Sequence, residues 1–72
     1  MERYKNLGRN SGVRAYEIGE DYIDVQFSGG KVYRYSYQSA GEAKVEQMKL
    51  LAERGHGLNA FIMRHARLDY EK

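Results

Sequence analysis

Two groups of residues in this 72-residue chain have the types and spacing to do chemistry. Tyr33, Tyr35 and Tyr37 alternate along one strand-like run, with Arg34 among them. Unpaired nucleic-acid bases stack on such rings, and a guanidinium adds charge and a second flat surface. The other group is Arg54, His56, Asn59, Arg64 and Arg67, spread across a Gly55-His56-Gly57 break. There the glycines let backbone approach a ligand, amides at a helix start donate to anions, and cations neutralise phosphate. Each group also has an ordinary structural reading. A tyrosine row opposite aliphatic residues belongs to a core, its hydroxyls reaching the rim for hydrogen bonds. The arginines fit a solvated helix face with Asn59 as N-cap, and the glycines a tight connection needing positive φ.

Other chemistries find less support. His56 and His65 lack the paired spacing and third partner of a zinc site. Glu17, Glu20, Asp21 and Asp24 lack the glycine and closing glutamate of a calcium loop. There is no cysteine, no GxSxG and no Walker loop, and so small a core leaves little room for a substrate pocket. The expectation is a protein that is not an enzyme, with no cofactor, no metal and no small-molecule substrate.

The elements that must position these residues follow from length and pattern. The length suits one domain near the lower limit for a hydrophobic core, with no disulfide to staple it. No apolar run is long enough to span a membrane and the first residues have no apolar leader, so a soluble, cytoplasmic protein is expected. The net charge of +2 does not announce a nucleic-acid binder, but its distribution is uneven. Arg3, Lys5, Arg9 and Arg14 lie in an acid-free stretch, as do Arg54, Arg64 and Arg67 with the histidines, while carboxylates gather around the turn at Gly19-Glu20. A fold that joined the two basic stretches would have a basic face.

Residues 1–10 read as a flexible N-terminal tail, although Tyr4 and Leu7 could dock on a core, and residues 11–70 as the single domain. Val13 to Ile18 is a first strand, and its change of apolar parity predicts a bulge or an irregular start. The hairpin Asp21 to Tyr37 admits two registers. A Gly29-Gly30 loop would put Val25 opposite Arg34 and mix apolar with charged side chains on each face. A Ser28-Gly29-Gly30 loop closed by a bulge at Gly30 puts Val25 opposite Tyr33, Ile23 opposite Tyr35 and Asp24 opposite Arg34. The second separates the faces and is the expected one. Ser39 and Glu42 have the spacing of a capping box for a helix bearing Val45, Met48, Leu51 and Ala52, with Gly55 ending it. Leu58, Phe61, Ile62 and Ala66 form a second helical stripe, completed by Met63, Leu68 or Tyr70. The fold class is therefore α+β, a three-stranded antiparallel β-meander with two C-terminal helices packed on one face.

Phe27, Gly30, Tyr33 and Tyr35 (FxxGxxYxY), NSGV before the first strand, and GHGLNAFIMR from Gly55 to Arg64 before Tyr70 together resemble the KTSC domain. That domain occurs at the C-terminus of some lysyl-tRNA synthetases and as a stand-alone bacterial protein. The resemblance spans Asn10 to Tyr70 and departs at the start of the first helix, where SAGEAKVEQM replaces the family's valine-proline. It implies no established activity; RNA binding is suggested by the synthetase context alone.

Two function classes follow. One is a weak RNA-binding accessory module, for RNA or tRNA, using Arg54, His56, Asn59, Arg64, Arg67, Tyr33 and Tyr35. The other is a protein-interaction module or homodimer acting through the open sheet face or an edge strand.

Overall fold

A computed structural model of the chain describes residues 1–9 and 11–72. Asn10, which ends the expected tail and begins NSGV, lies outside the described residues. The fold is α+β, with an antiparallel sheet of four strands rather than three, in the order β1 (Glu2–Arg3), β2 (Val13–Ile18), β3 (Tyr22–Phe27), β4 (Val32–Ser36). The additional strand comes from the segment expected as a tail. Tyr4 is the cause: its ring is 3% exposed, its amide donates to the Arg14 carbonyl (2.9 Å), and its hydroxyl accepts from the Leu58 amide (3.2 Å). Leu7 joins through its backbone alone, its amide donating to the Gly55 carbonyl (2.8 Å) while its side chain stays exposed.

The register shifts between Val13 and Ala15 in β2, as the change of parity predicts. Arg14 is the extra residue, and Val13 and Tyr16 consequently both enter the core. The β3–β4 hairpin takes the odd-loop register: Ile23 pairs Tyr35, Asp24 pairs Arg34, and Val25 pairs Tyr33. Gly30 sits at φ +94°, its amide donates to Phe27 O (2.8 Å), and the Phe27 amide donates to Lys31 O (2.9 Å). Arg34 grips Asp24 with two bonds of 2.8 and 3.0 Å and lies 3.9 Å from the centre of the Tyr22 ring.

The helix start differs from expectation. The capping box is Ser36 with Ser39, one turn earlier: Ser36 Oγ accepts from the Ser39 amide (3.1 Å) and Ser39 Oγ from the Ser36 amide (3.0 Å). Tyr37 therefore opens α1 (Tyr37–Ala40) instead of ending β4. Gly41, at φ +92° and ψ 146°, breaks the chain before α2 (Glu42–Arg54), so Ser39 cannot cap α2. Glu42 still favours that start by placing a carboxylate at the positive end of the helix dipole.

Val45, Met48, Leu51 and Ala52 form the buried stripe of α2. Gly55 ends it at φ +77°, its amide reaching the Leu51 and Ala52 carbonyls. A Cβ there would also stand 2.6 Å from Lys5 Cβ, so glycine is required both by the left-handed turn and by the docking of the N-terminal segment. Helix α3 (Leu58–Phe61) runs on into a π-helical turn, Ile62–Ala66, burying Leu58, Ile62 and Ala66. Asn59 is not its N-cap. Gly57 occupies that position, and the Tyr4 hydroxyl accepts from the amide of Leu58, the first residue of the helix, which would otherwise lack a partner.

One cluster joins these helices to Tyr4, Val13, Tyr16, Ile23, Val25 and Tyr35 on one side of the sheet. The opposite side carries Glu17, Asp24, Gln26 and Arg34. The free edge of β4 is covered in part, the Glu71 amide donating to the Arg34 carbonyl (2.7 Å), and the edge strand β1 is two charged residues long. Among the described residues no helix is long and apolar enough to cross a membrane.

Candidate nucleic-acid interface

The N-terminal segment does more than extend the sheet. Asn6 and Arg9 both take positive φ, +52° and +63°, and the Arg9 amide donates to Asn6 O (2.9 Å), closing a turn. The Asn6 side chain accepts from the Ser11 amide (3.3 Å), tying the loop's two ends. The Ser28 amide donates to Gly12 O (2.7 Å) and holds the β3–β4 turn beside it. The result is a cleft of about 460 Å³ into which Arg3, Lys5, Arg9 and Arg14 converge, with Ser11 and Ser28 in its wall. No carboxylate lines it, and among the described residues none of the four cations is in an ion pair. A like-charged group left unneutralised in one concavity concentrates anions.

A second cleft, of about 360 Å³, shares Tyr4, Asn6 and Ser11 with the first and adds His56, Gly57 and Asn59. The two acid-free stretches of the sequence thus meet across the N-terminal loop. A third cleft, of about 380 Å³, lies on the other side of the β3–β4 turn, with Phe27, Tyr33, Tyr35 and Tyr70 among its walls and Lys31 and Arg67 beside them.

The expected site residues therefore divide. Tyr33, Tyr35 and Arg67 share the third cleft, and His56 and Asn59 share the second. Arg54 and Arg64 stand exposed in the last turns of their helical segments and line none of these three clefts. His65 is exposed and packs on Phe61, with ring centres 5.0 Å apart.

The tyrosine row is not a single platform. Tyr35 is core, 2% exposed, and burial foremost pushes its hydroxyl up to about 12, with Tyr33, Tyr70 and Asp69 adding to the shift. Tyr37 has left the row for α1. Its hydroxyl donates to Glu46 Oε2 (2.6 Å), and that bond is the main reason it too is pushed up to about 12. Glu46 is held below the usual carboxylate range, first by Lys49 and then by Tyr37. Arg34 lies on the opposite side of the sheet, raised in pKa chiefly by its bond to Asp24. Of the three tyrosines in the row, Tyr33 is the one that is only partly buried and lines this cleft. Lys31 and the N-terminal cations are not among the residues that the sequence pattern assigns to a site, although the acid-free spacing of the latter is an available signal.

Among the described residues no three His, Asp or Glu side chains cluster as a metal site would need. No family model, curated protein or solved structure matches the chain.

Proposed function

We propose that the protein is a small non-enzymatic accessory module that binds RNA weakly, in the cytoplasm, through backbone phosphates and with little sequence preference. The observation that carries this reading is the convergence of Arg3, Lys5, Arg9 and Arg14 on one cleft without a carboxylate. Side chains of this kind contact phosphate oxygens and supply affinity that is independent of sequence. Arg9 adds support. A non-glycine residue held at φ +63° is costly, and such outliers concentrate where a side chain must be aimed. The choice of RNA, tRNA included, over DNA rests on the resemblance to the KTSC domain and is an association.

A second reading, a protein partner or a second copy of the chain, draws on Met63 and Leu68, exposed by 48% and 66% beside the third cleft. The sheet edges lend it less, because β4 is partly covered by Glu71 and β1 is short and charged.

Fluorescence anisotropy against labelled single-stranded RNA, tRNA and duplex DNA at two salt concentrations tests the proposal. Salt-sensitive binding that prefers RNA and is weakened about twentyfold in Arg9→Gly/Arg14→Gln is the expected result. No binding at micromolar protein in low salt would overturn it.

A further inference from the structure

The third cleft combines ring surface with unpaired cations, and phosphate binding in the first cleft makes no use of it. Tyr33 stands at its centre, 4.8 Å from the Tyr70 ring and 5.7 Å from the Phe27 ring. All three rings are only partly buried, so aromatic surface remains for another flat group. Lys31 and Arg67 line the same cleft, both exposed and, among the described residues, in no ion pair. Its volume, about 380 Å³, falls within the range of small-ligand clefts. A flat ring carrying an anionic group fits both features at once.

Continuity with the basic cleft narrows the occupant. Ser28 lines the basic cleft and Gly29 lines this one, and consecutive Cα atoms are about 3.8 Å apart. A Cβ at Gly29 would meet nothing within 4 Å, so the turn's backbone there borders open space. A strand whose phosphates occupy the basic cleft reaches the aromatic one across this turn.

The geometry points to a site for an unpaired base. A base of single-stranded RNA stacks against Tyr33, with Phe27 and Tyr70 closing the wall and Lys31 and Arg67 facing its phosphate. This rests on the RNA reading above and specifies its substrate: single strands over duplexes, because a paired and stacked base offers no free face. A purely apolar peptide would cover Met63 and Leu68 but leave Lys31 and Arg67 without counter-charge, so the cations favour the nucleotide.

The test compares three RNAs of equal length: a single strand, a ribose-phosphate strand lacking bases, and a duplex. The single strand should bind at least about fivefold tighter than the abasic strand, the lower end of what one stacked base contributes. Tyr33→Leu should remove that margin and leave abasic binding unchanged. Should Tyr33→Leu fail to fold, the wild-type protein still decides by NMR: Tyr33 and Tyr70 ring signals shift upfield with the single strand and not with the abasic one. Equal, salt-sensitive binding of all three RNAs would remove the base site and keep the phosphate reading. No binding to any would remove both, and a solution dimer dissolved by Met63→Glu would assign the cleft to a second copy of the chain.

Discussion

The two ends of the sheet differ in charge and in how that charge is used. At the Gly19–Asp21 turn the carboxylates of Glu17, Glu20 and Asp21 share their end with α2, where Lys49 donates to the Glu20 carbonyl (2.9 Å) and pairs with Glu46 (2.8 Å). At the Ser28–Gly30 turn the cations of the N-terminal segment face one another without such partners. Asp24, mid-strand, is satisfied by Arg34 and belongs to neither end. Near the first end Lys49 is spent on local structure, beside the carboxylates of Glu17, Glu20 and Asp21, which among the described residues no cation pairs, whereas at the other end the four cations are left available to a ligand. Strand β3 separates the ends by six residues, about 20 Å at the usual rise, or about two and a half times the screening length at physiological salt. The ends should therefore act independently.

That independence needs a rigid frame, and Tyr35 is its most exacting test. Tyr35→Ala should destabilise the fold by roughly 3 kcal/mol, more than a hundredfold in the folding equilibrium, as read from urea or thermal unfolding. An unaltered melting temperature would refute its place in the core. The same residue gives a pH dependence. Its hydroxyl titrates near 12 folded and near its ordinary value of 10 unfolded, so its stabilising contribution is complete below pH 10 and lost as pH rises toward 12. Melting temperatures measured across this window should fall, and should fall less in Tyr35→Phe.

Salt acts on one end only. Four phosphate contacts to a single strand give a slope of log affinity against log salt of about −3, or roughly fiftyfold between about 50 and 200 mM. A flat salt response would break the comparison, since the basic end would then not be the binding end. Charge removal sharpens it. Arg9→Gly/Arg14→Gln should weaken RNA binding by about twentyfold and lower the slope, while Glu17→Gln/Glu20→Gln at the far end should change affinity less than about twofold. A larger gain from the acidic pair would mean that the ligand spans the whole sheet.

The hairpin end of this comparison was legible in the sequence. Only one register separates Asp24 and Arg34 from Ile23, Val25, Tyr33 and Tyr35, and the pairing takes it. The bulge in β2 was legible as a change of parity. What could not be read were features that depend on residues distant in the chain. A two-residue strand has no period, so β1 is visible only through Tyr4, whose partner at Leu58 is 54 positions away. Serines 36 and 39 and the pair Ser39 and Glu42 have the same capping spacing, and only the backbone at Gly41 decides between them. For the site, residue types were legible but grouping was not. The acid-free N-terminal stretch is plain in the sequence, yet nothing in it says that the β3–β4 turn lies alongside.

The smallest expected effect is the most discriminating, because it has opposite signs in two assays. Arg9 is held in the left-handed region, where a side chain costs about 1–2 kcal/mol and glycine nothing steric, though glycine loses more entropy on folding. Arg9→Gly should therefore raise stability by about 0.5–1 kcal/mol in chemical denaturation. One phosphate contact removed should at the same time weaken RNA binding by about fivefold. A residue with only a structural role would move neither quantity in that combination, since improving its backbone fit would leave binding intact. Greater stability with undiminished affinity would remove Arg9 from the interface, and with it the argument that the strained loop exists to aim a cation into the cleft.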